Sequence, residues 1–291
     1  MSTATTSKNH RTPAPAGTGV NFMRVLKSEW IKVNTVPSTV ILLAITVVVM
    51  VGLAALAAWQ VVVVLDMIKG ASTPEEAMTF GDPQIYQDLI PEIPASGLFF
   101  GQLLIASLAV VLIASEWGTG MIRSTFSAVP KRIPALLAKN LVIAVISFVI
   151  GAGAAFISYL VAQPILNSGD LSLSLDDQGV LASILNTGTC LALIAVFSMA
   201  IGTLLRNTAG GVVTAIGIIF VLPLVVSIVE GIADWIPDAA RFLPSNAGTQ
   251  LVTAGTVADG ALTQLEGGLV LAAWALVLLI ISLVVTKRRD V

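Results

Sequence analysis

Six stretches of this chain contain no Asp, Glu, Lys or Arg: Val33–Leu65, Ile93–Ser115, Asn140–Gly169, Gln178–Leu205, Asn207–Val229 and Gly267–Thr286. Each offers at least about 20 residues, and roughly 20 residues rising 1.5 Å apiece cross the ~30 Å hydrocarbon layer of a bilayer. Backbone polar groups in lipid must be satisfied within the segment, and runs of this length achieve that as helices. With 56% hydrophobic and 11% charged residues, a chain of 291 residues lacks the polar skin of a soluble domain. The expected fold class is an all-α integral membrane protein. Six transmembrane helices, at about 38–65, 94–115, 140–163, 179–205, 208–229 and 267–286, follow an amphipathic interfacial elbow helix. Pro37 suits the first turn of the first span. Pro164 is expected to end the third, and Pro223 to kink the fifth.

Orientation follows from the basic residues. With the amino terminus inside and one crossing per stretch, the inner segments hold every Lys and Arg of the 15 except Lys69 and Arg241. Of the 17 acids, only Glu29, Glu116 and Asp290 fall inside. One crossing more or fewer scrambles this partition. Both termini are therefore expected in the cytoplasm.

Residues 1–20 have no apolar run; they read as a disordered cytoplasmic tail and not as a signal peptide. Residues 21–36 read as the elbow. Phe22, Val25, Leu26, Trp30 and Val33 gather on one side at helical spacing, while Arg24, Lys27, Ser28 and Lys32 gather on the other. Glu29 and Ile31 break the pattern. Such a helix suits the membrane interface; the plainer reading is an extension of the first span. The transmembrane domain occupies 37–291 and includes an outer loop at 230–266. There Ile232–Pro237 through Phe242–Pro244 reads as short amphipathic helices at the outer interface.

The inner connection at 116–134 is too polar for a membrane core and too apolar for a floppy linker. Gly118 and Gly120 allow a sharp change of direction. Met121, Ile122, Phe126 and Val129 recur at helical spacing, and Pro130 ends that run. This predicts a short surface helix held by a glycine turn, able to press on a soluble partner. The alternative is an ordinary interfacial loop with positive-inside charge. Glu116 and Arg123 lie close enough to lipid to require partners, either each other or a second protein.

Several chemistries lack their residues. No Gly-x-x-x-x-Gly-Lys-Ser/Thr string is present, so ATP hydrolysis by that loop is not expected of this chain. His10 is the single histidine and lies in the polar tail, which leaves Ser-His catalysis and a histidine-ligated intramembrane metal without their base or ligands. Glu75-Glu76 has no histidine partner. No catalytic residue, metal ligand or resident cofactor is expected, and no nucleic-acid partner. Cys190 reads as a small buried side chain. Gln60, Gln102, Gln163 and Asn186 read as helix–helix hydrogen-bonding groups.

The string Glu116, Gly120, Ile122, Arg123, Pro130, Arg132, Lys139 resembles the characteristic stretch of ABC-2 type permeases, the membrane subunits of many bacterial ABC exporters. Met121 stands where that family often has Thr or Ser. Val25–Lys32 resembles the family's elbow helix and Leu243–Gly248 its last outer loop, so the resemblance runs from Asn21 to Arg289. It implies that Glu116, Gly118, Gly120, Ile122, Arg123, Phe126, Pro130 and Arg132 couple the chain to a cytosolic ATPase. It implies that Phe22, Leu26, Trp30 and Val33 belong to the elbow. It implies pairing with a second permease subunit, identical or not, in a bacterial cell membrane, with ATP and Mg held by the partner ATPase. The substrate and the residues that bind it are not legible. A secondary transporter or channel, or a non-transporting immunity or anchor protein, are the alternatives.

Overall fold

The computed structural model describes residues 21–122, 132–255 and 260–288, and no strand occurs among them. Helix α1 spans Phe22–Thr35 and α2 spans Pro37–Gly70. Two short surface helices follow, α3 (Pro74–Phe80) and α4 (Pro83–Asp88). A 3-10 segment at Ile90–Ala95 leads into α5 (Leu98–Gly118). The long helices α6 (Arg132–Asn167) and α7 (Val180–Leu205) come next. A composite helix is built from α8 (Thr208–Ile216), a π-helical turn at Gly217–Val221 and α9 (Leu222–Val229). The last elements are α10 (Trp235–Ala240), α11 (Pro244–Val252) and α12 (Gln264–Arg288). Six helical segments are long and apolar enough to cross a membrane: Pro37–Gly70, Ile90–Gly118, Ile133–Asn167, Val180–Leu205, Thr208–Ile232 and Gln264–Arg288.

The prolines act much as their chemistry dictates, with one correction. Pro37 occupies the first turn of α2, where its missing donor costs nothing. Pro223 lies just after the π-helical turn, in which Leu222 donates back to the Gly217 carbonyl. A π turn of this kind re-routes the hydrogen bonds next to a residue that has no N–H to give. Pro164 does not end its helix, as the sequence predicts; α6 continues through it to Asn167. The residues after a proline still donate to carbonyls behind them, so one omitted bond near a helix end can be absorbed. Charge likewise fails to stop α2, which runs past Leu65 and carries Asp66 and Lys69 in its exposed last turns.

Helix α7 is the axis of the bundle. In its most apolar window 67% of residues are buried, against 11% for the α8–α9 segment. It packs against α6, α5 and α12. Small residues let α6 and α7 approach closely: a Cβ placed on Gly188 would sit 2.6 Å from the Phe148 carbonyl oxygen. Where lipid is the solvent, backbone proximity of this kind and interhelical hydrogen bonds replace the hydrophobic drive between helices. Asn186 donates to the Leu251 carbonyl at 2.8 Å and Gln163 to the Leu173 carbonyl at 2.7 Å. Asn186 thus bonds between helices as expected, whereas Gln163 bonds to a loop and Gln60 is exposed. Cys190 is fully buried.

The 230–266 region is less superficial than its composition predicts. Helix α10 buries nothing, but α11 buries Pro244, Ser245, Ala247, Gly248, Leu251 and Val252 against α7 and α12. A Cβ on Gly248 would lie 2.8 Å from Cys190 Sγ, so glycine here lets α11 seat deeply.

Candidate functional site

Among the described residues, a compact cluster of charges lies at the end where α5 finishes and α6 begins. Glu29 comes from α1, Glu116 from α5 and Lys139 from α6; they are 3%, 2% and 6% exposed. Lys139 Nζ donates to Glu29 Oε2 at 2.5 Å and to Glu116 Oε1 at 2.8 Å. Lys32, half-buried on α1, donates to the same Glu116 oxygen at 2.8 Å and to Glu29 Oε1 at 3.0 Å. The four side chains close a ring in which each lysine bridges both carboxylates. Two positive and two negative charges leave the cluster neutral, the condition under which buried charges are tolerated.

Geometry places each group for a local reason. Val25, Glu29 and Val33 fall one turn apart and form the buried stripe of α1. Val25 packs on Ala135 and Ala138 of α6, which seats Glu29 against the same helix. Lys32 follows Glu29 by three residues, so both face inward together. Glu116 Oε2 has no hydrogen-bond partner among the described residues. A cavity of about 20 Å³, lined by the four charged side chains with Val33, Leu112, Val142, Ile143 and Met199, adjoins the cluster and matches one water in size.

Helix α1 divides the residues expected on its apolar face between the bundle and the outside. The expected apolar face grouped Phe22, Leu26, Trp30 and Val33, with Glu29 as an interruption. Val33 is buried and Leu26 half-buried, but Phe22 and Trp30 are 39% and 46% exposed. The helix docks on its neighbours through the stripe that contains Glu29, because Lys139 offers that carboxylate a buried counter-charge. Glu116, expected to require a partner, is engaged by Lys32 and Lys139.

Of the other expected coupling residues, Gly118 is the last residue of α5. Gly120 adopts φ +73°, a left-handed conformation that glycine takes without steric cost, and is the residue that turns the chain. Ile122 is 2% exposed and belongs to the main core, whereas Met121 is 42% exposed. Arg132 opens α6. Arg123, Phe126 and Pro130 lie outside the described residues, as do 1–20 and 289–291. Nearby, the Arg206 guanidinium carbon stands 3.9 Å from the centre of the Trp117 ring, joining the end of α7 to the end of α5.

No family model matches this chain, and no curated protein matches it. The site must therefore be read from its own geometry. Nothing in the cluster is arranged as a nucleophile with a base. Its charges are mutually neutralised and serve to bind three helices into one unit.

Electrostatics set a pH window. Burial works against the Glu29 carboxylate, but Lys139 and Lys32 outweigh it and hold its pKa below the ordinary glutamate range. Burial likewise works against the Lys32 ammonium, but Glu116 and Glu29 outweigh it and raise its pKa. A depressed Glu29 pKa stabilises the fold fully above the unfolded value of about 4.3 and ceases to do so as pH falls through the folded value. A raised Lys32 pKa stabilises below the unfolded value of about 10.4 and ceases to do so as pH rises through the folded one. Thermal stability in detergent should therefore be flat with respect to these two groups between about pH 5 and 10. Glu29→Gln should shrink the acid limb of that profile, and an unchanged limb would show that Glu29 does not feel the two lysines.

Proposed function

We propose that this chain is the membrane-spanning subunit of an ATP-driven exporter of the ABC-2 permease kind, coupled to separate cytosolic ATPase subunits and paired with a second permease subunit. The observation that carries the reading is the buried ring of Glu29, Lys32, Glu116 and Lys139. Glu116 and Lys139 sit on the two helices joined by the 116–134 connection. A force on that connection is therefore delivered to both helices and, through Glu29 and Lys32, to α1. An ATPase that closes on nucleotide can bias transport only through a stiff linkage whose two ends favour the same conformation.

In this arrangement α1 is the elbow. Its buried stripe faces the bundle, and its exposed Phe22 and Trp30 sit at the headgroup level, where amphipathic aromatic side chains are favoured. The 116–134 segment is the coupling element, both termini are cytoplasmic, and the membrane is that of a bacterial cell. The partition of basic residues supports that orientation. ATP and Mg belong to the partner subunit.

The single cysteine is fully buried, so an introduced cysteine is the sole accessible thiol. Met121 and Met78, 42% and 79% exposed, lie in segments expected on opposite sides. In intact cells an impermeant maleimide should label Met78→Cys and spare Met121→Cys, and inside-out vesicles should reverse this. Met121→Cys should also crosslink to the cytosolic ATPase that the proposal requires. The pair should hydrolyse ATP, and the chain alone should not. Labelling of both cysteines from one side, or efflux driven by an ion gradient without any ATPase, would refute the proposal.

A further inference from the structure

At the opposite end of α5 from the charge cluster lies a much larger cavity. Leu98 and Glu116 are 18 residues apart on one helix, which places the two features ~27 Å from each other at 1.5 Å per residue. The cavity has a volume of about 280 Å³ and is a partly open cleft bordered by α2, the 86–99 segment and α11. Its walls are mainly apolar: Val61 from α2, Leu89 and Ile93 from the turn, Phe99 from α5 and Val252 from α11. One charged side chain, Glu92, lines it.

Glu92 is half-buried and has no Lys or Arg within salt-bridge distance among the described residues. The two basic residues expected at this end are engaged elsewhere. Lys69 pairs with Asp66 at 4.0 Å, and Arg241 pairs with Asp238 at 3.7 Å and donates to the Gly260 carbonyl. The hydroxyls nearby are also committed. Tyr86 donates to the Phe80 carbonyl, Ser96 to that of Ile93 and Thr253 to that of Thr249. An unpaired carboxylate in an apolar pocket is costly unless a cation arrives to compensate it. An apolar cavity with one convergent charge is the usual form of a small-ligand site.

We propose that this cavity binds an organic cation with an apolar body, the ammonium resting on Glu92 and the body between Val61 and Phe99. Phospholipid is the less suitable occupant, because Glu92 repels a headgroup phosphate. Most of the chain's acids fall in segments at this end, which raises the local concentration of cations. Under the proposed exporter function such a cation is the cargo class. That clause alone rests on the exporter reading, since binding itself needs neither nucleotide nor ATPase.

The test uses the full chain in phosphatidylcholine nanodiscs and a small fluorescent styrylpyridinium cation, with its uncharged styrylpyridine analogue as control. The cation should bind saturably and more tightly than the neutral analogue. Glu92→Gln should weaken the cation by at least about tenfold and leave the analogue unchanged, because a hydrogen-bonded charge pair contributes that much. Glu92→Asp should recover part of the loss. Val61→Trp, which fills the cavity, should abolish both. Equal cation affinity in wild type and Glu92→Gln would overturn the proposal. So would equal affinity for cation and analogue, or displacement of the cation by phosphatidylethanolamine to the same degree in both proteins. Cation binding without ATP-driven efflux of the same cation would overturn the cargo assignment and leave the site standing.

Discussion

Replacing Lys139 with methionine should lower the stability of this protein by about 3–5 kcal/mol, the cost of stripping one partner from a buried charge network. The lysine head is 7% exposed and bridges Glu29 and Glu116, whose side chains are 5% and 3% exposed. Its loss leaves Lys32, which is 28% exposed, to compensate two carboxylates. The natural comparison is the double variant Lys139→Met with Glu116→Gln. That pair of changes leaves Glu29 and Lys32 as a balanced couple and should recover part of the stability. Thermal unfolding of the four proteins in one detergent forms a cycle whose coupling term should be on the order of 1–3 kcal/mol in the rescuing direction. Additive losses would show that the ring does not behave as a unit. They would also remove the stiffness that the proposed coupling needs.

Gly179→Ala should be about as damaging, for an unrelated reason. This residue precedes α7 at φ +84°, where an L side chain costs roughly 1–2 kcal/mol. Its Cβ would also sit 2.4 Å from the Ala254 carbonyl oxygen and 3.0 Å from the Ala254 Cα. Backbone occupies that space and cannot rotate away, so a further ~1–3 kcal/mol of displaced packing is expected. The total is about 2–5 kcal/mol, and the change should loosen the seating of the chain after α11 on the head of α7. Gly153→Ala is the control. It is helical and meets nothing within 4 Å, so it should be neutral or slightly stabilising. Similar melting temperatures for the two variants would mean that the close approach at Ala254 yields easily.

How much of this could be read from the sequence differs by element. The six long apolar helices were legible because lipid transfer depends on a run of residues and not on their partners, and the charge-free runs predict each helix to within a turn or two at most ends. The exception at Pro164 is instructive: a single missing donor near a helix end is cheaper than a rule of thumb implies. Gly120 was legible as a turn because only a residue without a side chain takes its conformation freely. Glu116 was legible as a group that required a partner, although not as one that would find two lysines.

Glu29 marks the boundary between the two kinds of knowledge. In one dimension it spoils the apolar face of α1, and that irregularity is the signal that was present. Its meaning depends on Lys139, 110 residues away, and pairing at that range has no periodicity to betray it. The same holds for α11, whose mixed composition reads as surface until α7 and α12 close over it, and for the cavity beside Glu92, which three separated segments create together. Transfer free energy along the chain determined that the protein is a bundle of helices suited to a bilayer. Only tertiary packing decided which charges neutralise one another and which carboxylate is left facing an apolar space, because electrostatic pairing falls with distance in space and takes no account of separation in sequence.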